Sequence, residues 1–228
     1  MTETSVLLVE DDVGLSSMIS EFLGGNGFRV SVEGRGDAAP ARILGEKPDA
    51  VVLDVNLPGI DGFEVCRLVR EKFAGPILIL TARGDDVDEV IGLEIGADDY
   101  MAKPVRPRVL LARLRSHLRK ATPVEDQRQI EVGDLRIDSA RRLVEIGGKN
   151  IDLTTAEFEL LWLLAKRAGE VVSRDDIYRQ LFEIPYDGVD RSIDLRVSRL
   201  RRRVGDSSTS PTRIKSVRGV GYILVLDK

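Results

Sequence analysis

Several residue types are scarce in this chain of 228 residues, which contains one cysteine, one histidine and one tryptophan. The single cysteine, Cys66, cannot form an internal disulfide, so a small domain held together by disulfides is excluded. The single histidine, His117, has no other His or Cys at metal-binding spacing. Neither residue is assigned a role from the sequence.

Long apolar runs are also missing from the chain. The runs that are present, such as Val51–Leu53 and Ile77–Leu80, are far shorter than the ~20 residues that cross a bilayer. The N-terminal sequence lacks a basic stretch followed by a long apolar one, which is the pattern of a secretory signal. We therefore expect no membrane partner and a cytoplasmic, reducing compartment.

Charge is distributed unevenly along the sequence. Residues 1–120 carry 15 Lys and Arg against 20 Asp and Glu, whereas residues 191–218 carry nine Lys and Arg against two acids. This asymmetry suggests two domains, the second of which has a polyanionic partner. Residues 121–129 lack an apolar period and contain Pro123, so they predict a linker between a first domain, 1–120, and a second domain that begins at residue 130.

Short apolar runs alternate with helical segments in the first domain. Strands are predicted at residues 6–9, 28–32, 50–54, 76–80 and 99–102, and helices at 14–23, 38–45, 63–72, 86–95 and 108–120. Apolar strands joined by helices are typical of a parallel sheet that is covered on both faces. The pattern predicts an α/β domain with a flavodoxin-like, doubly wound sheet of five parallel strands.

Chemically active side chains follow most of these strands. They are Glu10, Asp11 and Asp12 after the first strand, Asp54 at the end of the third, Thr81 after the fourth and Lys103 after the fifth. Clustered carboxylates repel one another unless a cation compensates them, and oxygen ligands favour Mg²⁺. We predict that Asp54 is the nucleophile toward a phosphoryl group, whereas Asp12 is either a helix cap or a solvated acid.

Four ordered motifs in this domain resemble those of the receiver domains of two-component response regulators. They are VEDD at 9–12, LDVNLPGIDG at 53–62, LTA at 80–82 and GADDYMAKP at 96–104. The resemblance implies that Asp54 accepts a phosphoryl group from a cognate sensor histidine kinase. The Mg²⁺ ligands that it implies are Glu10, Asp11, Asp54 and the main-chain carbonyl of Asn56.

The same resemblance assigns roles in activation. It implies that Thr81 and Lys103 contact the phosphoryl group and that Tyr100 rotates as a switch. It further implies a cis peptide bond between Lys103 and Pro104, although physical principles show only that such bonds tolerate the cis form.

Two rival chemistries are less consistent with the sequence. A phosphohydrolase of the haloacid dehalogenase type needs a second acid two positions after its nucleophile, where this chain has Asn56. An FMN carrier needs Ser and Thr after the first strand, where this chain has acids that repel phosphate. We therefore expect no enzyme activity beyond phosphotransfer to Asp54 and its slow dephosphorylation.

The second domain begins with alternating segments that predict strands at residues 130–132, 135–137, 143–146 and 151–153. A helix capped at Thr155 carries Trp162, which is expected in the core. The remaining predicted elements are a helix that starts at Ser173, a loop at 182–188, a helix that starts near Asp190, and a terminal hairpin over 212–226. This order indicates an α+β domain.

The last predicted helix has two unlike faces. Its inward positions are Ile193, Val197, Leu200 and Val204. Its outward positions are Arg191, Asp194, Leu195, Ser198 and Arg202, flanked by Arg199 and Arg201. A basic helix face suits the DNA major groove, and Arg218 at the hairpin tip suits the narrow minor groove. A solvated charged helix is the alternative.

Residues 130–226 resemble the winged-helix domain of the OmpR/PhoB subfamily. The motifs that carry this likeness are LTTAEFELLWLLA at 153–165, VDRSIDLRVSRLRRRV at 189–204 and IKSVRGVGY at 214–222. The resemblance implies DNA contacts by Arg191, Arg199, Arg201 and Arg218, and an RNA polymerase contact by the loop Phe182–Gly188. Within the subfamily the sequence is most similar to the RstA-type regulators, which implies an RstB-like kinase.

The subfamily also implies a homodimer that forms on phosphorylation and binds direct-repeat promoter sites. Its usual cross-dimer ion pair cannot form here, because Glu89 and Val109 occupy the two positions. The residues predicted to supply other pairs are Glu94, Asp98, Asp99, Arg113 and Arg115. Ion pairs at the rim of an interface are individually weak.

Overall fold

A computed structural model describes residues 3–81, 95–119, 129–207 and 209–226 of the chain. The chain divides into two units, Met1–Leu118 and Arg119–Lys228. Within the described ranges, no helix has both the length and the apolar character that a membrane crossing requires. The predicted linker falls largely on residues 120–128, which are outside these ranges.

Strands and helices alternate along the first unit. Its elements are β1 (Thr4–Val9), α1 (Val13–Gly24), β2 (Phe28–Glu33), α2 (Ala39–Glu46), β3 (Ala50–Asp54), α3 (Gly62–Arg70), β4 (Ile77–Thr81), β5 (Asp99–Ala102) and α4 (Pro107–Leu118). The strands form one parallel sheet in the order β2-β1-β3-β4-β5. The predicted five-stranded parallel sheet is confirmed, whereas the helix predicted at 86–95 falls almost wholly outside the described residues.

Polar side chains meet at the edge of the sheet formed by the carboxyl ends of its strands. Every residue of β3 and β4 is buried, as expected where a sheet is covered on both faces. In the register of the sheet, Asp54 lies opposite Leu80, and Thr81 lies opposite Ala102. The side chains at or just beyond this edge are Glu10, Asp54, Thr81 and Lys103.

The second unit contains two small antiparallel sheets and three helices. Its elements are β6 (Gln129–Val132), β7 (Leu135–Asp138), β8 (Leu143–Ile146), β9 (Lys149–Asn150), α5 (Thr155–Lys166), β10 (Val172–Ser173), α6 (Arg174–Phe182), α7 (Ser192–Arg203), β11 (Ile214–Val217) and β12 (Gly221–Leu224). The sheet orders are β6-β7-β8-β9 and β10-β12-β11. The predicted α+β class is confirmed.

The fourth strand of the first of these sheets begins earlier than predicted. Gly147 and Gly148 both have positive φ, 55° and 79°, which a two-residue hairpin turn requires. Such a short turn pairs Ile146 directly with Lys149, so β9 is Lys149–Asn150. The strand predicted at 151–153 is therefore wrong, because the turn uses only two residues.

The start of α5 also differs from the prediction by one residue. Thr154, not Thr155, caps the helix: its side chain accepts from the backbone N–H of Glu157, and the Glu157 carboxylate accepts from the backbone N–H of Thr154 at 2.8 Å. This reciprocal pair is a capping box, which Phe158 could not form. Trp162 is half-buried rather than fully in the core, and its ring stacks on Phe158 with centroids 6.5 Å apart.

Strand β10 has no counterpart in the sequence prediction, because two residues are too few to show a period. Val172 pairs with Tyr222, and Ser173 pairs with Gly221. A Cβ on Gly221 would lie 2.0 Å from the carbonyl oxygen of Val172, so only glycine allows this approach. The terminal hairpin is thereby joined to the segment that precedes α6.

Candidate functional site

Three carboxylates meet at the polar edge of the parallel sheet. One oxygen from each of Glu10, Asp11 and Asp54 lies within 4.8 Å of the others. Glu10 and Asp54 are buried, whereas Asp11 is exposed. Asp12 instead caps α1, because its Oδ1 accepts from the backbone N–H of Leu15 at 2.8 Å, which confirms the predicted cap.

The ammonium group of Lys103 lies between two of these acids. Its Nζ donates to Oε2 of Glu10 at 3.0 Å and lies 3.0 Å from Oδ1 of Asp54. That Asp54 oxygen is buried and accepts no hydrogen bond of good geometry within the described part of the chain. This oxygen of the predicted nucleophile is therefore held by its ion pair with Lys103.

The electrostatics of the cluster leave negative charge uncompensated. Burial raises the pKa of Glu10, and the Asp54 carboxylate raises it further, while Lys103 offsets only part of this effect. Burial likewise raises the pKa of Asp54 despite the nearby ammonium. Burial opposes the charge of Lys103, but its two carboxylate partners raise the pKa of the amine overall. One ammonium does not balance two buried acids, and such a set of oxygens fits a hard divalent cation.

The loop after β3 brings the start of α3 against the nucleophile. The backbone N–H of Gly62 donates to the carbonyl oxygen of Val55 at 2.9 Å. A Cβ at this position would lie 2.0 Å from the carbonyl oxygen of Asp54, so a larger residue would push the helix away. Asn56, whose main-chain carbonyl is a predicted ligand, lies in the same loop with its side chain exposed.

The remaining residues predicted for the first unit lie on neighbouring strands. Thr81 is buried at the end of β4, and its carbonyl oxygen accepts from the backbone N–H of Lys103 at 2.7 Å. Tyr100 on β5 is 6% exposed, so its ring is turned inward. The Lys103–Pro104 peptide bond is cis, which confirms that prediction.

Helix α7 separates apolar and basic residues as predicted. The inward residues Ile193, Val197, Leu200 and Val204 are all buried. Arg191, Arg202 and Arg203 are exposed, and Ser198 and Arg199 are half-buried. Arg196 is buried, contrary to what its charge suggests, and its guanidinium stacks over the ring of Phe182 at 5.2 Å.

Asp194, predicted to face outward on this helix, binds two side chains of its own unit. Nε of Arg174, the first residue of α6, donates to its Oδ1 at 2.9 Å. The hydroxyl of Tyr222 on β12 donates to the same oxygen. The Arg174 guanidinium also donates to the Tyr222 hydroxyl at 3.2 Å and stacks over its ring.

Arg201 is engaged in the same way with the other strand of the hairpin. Its Nε donates to the carbonyl oxygen of Ile214 at 2.8 Å, and its Nη2 donates to Oγ of Ser216 at 2.9 Å. Both acceptors belong to β11. Asp194 and Arg201, both predicted to contact DNA, thus have partners inside the unit.

Arg218, which was predicted to contact the minor groove, lies at the tip of the hairpin. Strands β11 and β12 are joined by a turn in which the backbone N–H of Val220 donates to the carbonyl oxygen of Val217 at 3.0 Å. Gly219 in this turn has a φ of 74°, a conformation that glycine adopts without strain. Arg218 is exposed at the tip, as predicted.

Comparison with known proteins identifies the family of the domain that carries each site. A family model described as "Response regulator receiver domain" matches residues 6–115, and one described as "Transcriptional regulatory protein, C terminal" matches residues 148–224. The chain is 43% identical over 230 residues to the transcriptional regulatory protein RstA of Escherichia coli, and the match covers 96% of each chain. The chain belongs to the OmpR/PhoB-type response regulators.

Other proteins resemble the chain over nearly its whole length. The DNA-binding response regulator MtrA of Mycobacterium tuberculosis is 40% identical over 217 residues, covering 95% of each chain. A solved structure of a RitR mutant matches with a TM-score of 0.60 at 28% identity, covering 97% of this chain and 98% of that one. The unit with the carboxylate cluster is thus the receiver of a transcriptional response regulator, and the unit with α7 is its effector domain.

The five residues predicted for the response regulator's dimer contacts have different surroundings. Glu94 is outside the described residues, and Arg115 is exposed. Asp98 accepts from Nη1 of Arg70 at 3.0 Å. Asp99 and Arg113 are buried and paired at 3.0 Å, so neither has the surface position that a dimer contact requires in this conformation.

The buried Asp99 has a further partner that sequence reasoning missed. Nε2 of His117 lies 3.0 Å from its Oδ2, and the histidine is buried as well. The only signal was on α4, where Arg113 and His117 are four residues apart and therefore share a face. Their common partner on β5 could not be found from that spacing. The histidine that was left without a role is thus part of a buried charged cluster.

Proposed function

We propose that this response regulator acts in the cytoplasm as a phosphorylation-controlled transcription factor. An RstB-like sensor histidine kinase supplies the phosphoryl group, Asp54 accepts it, and a homodimer then binds direct-repeat promoter sites. The observation that carries this proposal is the buried Asp54 carboxylate beside Lys103, on the same chain as a helix with exposed arginines. The family supports a kinase partner and a DNA target for the chain.

Phosphotransfer follows from the position of the nucleophile. An oxygen of the Asp54 carboxylate attacks the phosphorus of a phosphohistidine, forming a P–O bond as the P–N bond breaks, and the imidazole nitrogen keeps the electron pair. The Lys103 ammonium, 3.0 Å from Asp54, balances charge on the phosphoryl oxygens, and the Thr81 hydroxyl donates to one of them. Because Asn56 supplies no general acid or base, the acyl phosphate persists instead of turning over.

The metal that suits this site is Mg²⁺. Its proposed ligands are Glu10, Asp11, Asp54 and the main-chain carbonyl oxygen of Asn56. The buried Asp54 oxygen without a hydrogen bond and the raised pKa values of Glu10 and Asp54 support this assignment. When bound, the ion would neutralise the carboxylates and the incoming phosphoryl oxygens.

Asp11→Asn removes one proposed ligand and is expected to weaken Mg²⁺ binding about tenfold. Titration calorimetry on the full chain measures this affinity. Asp12→Asn is the matched control, because asparagine also caps helices and this side chain is turned to α1. The affinity of the unmodified chain should fall as the pH is lowered, since the raised pKa values of Glu10 and Asp54 let protons compete with the ion. Equal affinities of the two variants would contradict the ligand assignment.

The DNA contacts are proposed for the predicted residues of α7 and the hairpin other than Asp194 and Arg201. We assign Arg191, Ser198, Arg199 and Arg202 to the major groove and Arg218 to the minor groove. Arginine binds guanine edges or phosphates and also suits a narrow, electronegative minor groove. The alternative of a merely solvated helix predicts no such binding.

A salt titration of DNA binding tests these contacts. Log Kd should rise linearly with log salt concentration, and Arg191→Ala and Arg202→Ala should each reduce the slope by about 0.9, the value for one phosphate contact. Arg136→Ala is the control, because this exposed arginine on β7 carries the same charge away from α7. A slope that is equally changed by all three substitutions would indicate net charge rather than specific contacts.

Activation is proposed to proceed through dimer formation by the receiver. The phosphoryl group adds a charge of about −1.5 to −2 at the sheet edge. The side chains of Thr81 and Lys103 move to contact this charge, and Tyr100 rotates. Among the predicted dimer residues that the structure describes, Arg115 is exposed. The loop Phe182–Gly188 is the proposed contact for RNA polymerase.

A further inference from the structure

The spacing of Asp194 and Arg201 places them on one side of the recognition helix α7. They are seven residues apart, so at 100° per residue their directions differ by about 20°. Arg191, Ser198 and Arg202 point along a neighbouring direction, toward the proposed DNA face. Asp194 and Arg201 therefore lie on one flank of the proposed DNA face, about 40° to 100° around the helix from Arg191, Ser198 and Arg202.

Both residues bind the wing, which we define as the hairpin of β11 and β12. Asp194 accepts from the Tyr222 hydroxyl on β12. Arg201 donates to Ile214 and Ser216 on β11. The helix is thus attached to both strands of the wing, at points about two helical turns apart.

The Asp194 attachment joins a third element to the helix and the wing. Arg174 at the start of α6 donates to both Asp194 and Tyr222. Tyr222 is 3% exposed, and the Arg174 and Asp194 side chains are 21% and 27% exposed. A half-buried carboxylate that already accepts from two donors is poorly suited to accept from cytosine as well. Its negative charge also repels nearby phosphates, so direct DNA contact would be unfavourable.

We propose that Asp194 and Arg201 are positioning residues that hold the recognition helix at a fixed distance and angle from the wing, and so determine how strictly the protein discriminates DNA sequences. The inference rests on the proposed DNA binding and deepens it. The base-reading side chains of α7 and Arg218 of the wing must fit two grooves at once. If the helix moves relative to the wing, the correct sequence loses its fit, whereas attraction to phosphates on any sequence remains.

The test uses the full chain with Mg²⁺ and acetyl phosphate. The unmodified protein first selects a preferred duplex from a random-sequence pool. Fluorescence anisotropy then gives Kd for that duplex and for a shuffled duplex of the same composition. The variants are Asp194→Asn, Arg201→Lys, which keeps the charge, and Tyr222→Phe, which keeps the ring. Asp152→Asn is the control, since it removes one acidic charge from an exposed position of the same unit.

For Asp194→Asn and Arg201→Lys, we expect the ratio of the two Kd values to fall about tenfold, the usual effect of one lost charge-assisted contact. For the shuffled duplex, Kd of Arg201→Lys should stay within about twofold of the unmodified value. Kd of Asp194→Asn should stay within the same range or decrease, because this variant loses a negative charge. Tyr222→Phe should give a smaller fall of about threefold. The control ratio should not change.

Equal weakening on both duplexes, or an unchanged ratio in all three variants, overturns the inference. Thermal unfolding of each variant shows whether it is folded, and if Asp194→Asn is not, Arg201→Lys and Tyr222→Phe decide the result. If the unmodified protein prefers no duplex from the pool, the proposed DNA-binding function itself fails. If it prefers one and the variants keep the same ratio, only the positioning role fails.

Discussion

Asp54→Asn is expected to abolish phosphoryl labelling of the chain by a phosphorylated histidine kinase or by acetyl phosphate. The amide lacks the nucleophilic carboxylate oxygen that must form the P–O bond. The variant should also lose the increase in DNA affinity that phosphorylation gives the unmodified protein. Phosphate-affinity electrophoresis measures the labelling, and the anisotropy assay measures the affinity.

Asp12→Asn is the matched control for this substitution. Its side chain lies one residue beyond the acidic cluster and is bound to the start of α1, a role that asparagine also fulfils. It should be labelled within about twofold of the unmodified rate, since it is not a proposed ligand. Labelling that persists in Asp54→Asn would show that another residue is the acceptor.

Asp206→Ala is expected to destabilise the second unit by about 3 kcal/mol. The Asp206 carboxylate is buried and accepts from the backbone N–H groups of Thr212, Arg213 and Ile214 at 2.7, 3.1 and 2.9 Å. It therefore organises the segment that leads into β11. Alanine would leave these donors without their acceptor. The segment that leads into the wing would then no longer be bound to the residue that follows α7.

This contribution should depend on pH in a defined direction. Burial opposes ionisation of Asp206, but the three backbone donors outweigh it and lower the pKa below its ordinary value of 3.8. The ionised carboxylate therefore stabilises the fold above the ordinary pKa, and that stability is lost as the pH falls through the lower, folded-state value. The difference in free energy of unfolding between the unmodified protein and Asp206→Ala should therefore shrink as the pH is lowered from neutral to about 3.

The single tryptophan makes this measurement specific to the second unit. Trp162 lies on α5, so its fluorescence during urea unfolding reports on that unit. Ser210→Ala is a suitable control, because its exposed side chain is in the same loop. An unchanged free energy of unfolding in Asp206→Ala, or a difference that grows in acid, would exclude the anchoring role.

The sequence predicted the acidic edge of the receiver because strand ends in a parallel sheet follow from local patterns. An apolar run that stops at Asp54, and others that stop before Glu10 and Lys103, place three side chains at one edge once the sheet is parallel. The pattern of α7 was equally local, since a helical period alone separates Ile193 from Arg202. These predictions needed no knowledge of distant contacts.

The features that were missed all depend on partners distant in sequence or on a shift of one residue. Asp194 was predicted to face DNA because no local pattern shows that Tyr222, 28 residues later, donates to it. Asp99 and Arg113 were predicted as dimer contacts within the subfamily resemblance, because no local pattern shows that they pair with each other. The capping box at Thr154 was missed because neighbouring threonines offer the same local chemistry.

The buried cluster of Asp99, Arg113 and His117 also bears on which substitutions the receiver tolerates. Loss of Arg113 alone would leave Asp99 with its negative charge inside the protein and without its arginine, a change that is usually strongly destabilising. Replacement of all three by apolar residues of similar volume carries no such penalty. A single substitution at one of these positions is therefore expected to destabilise the receiver more than joint replacement of all three.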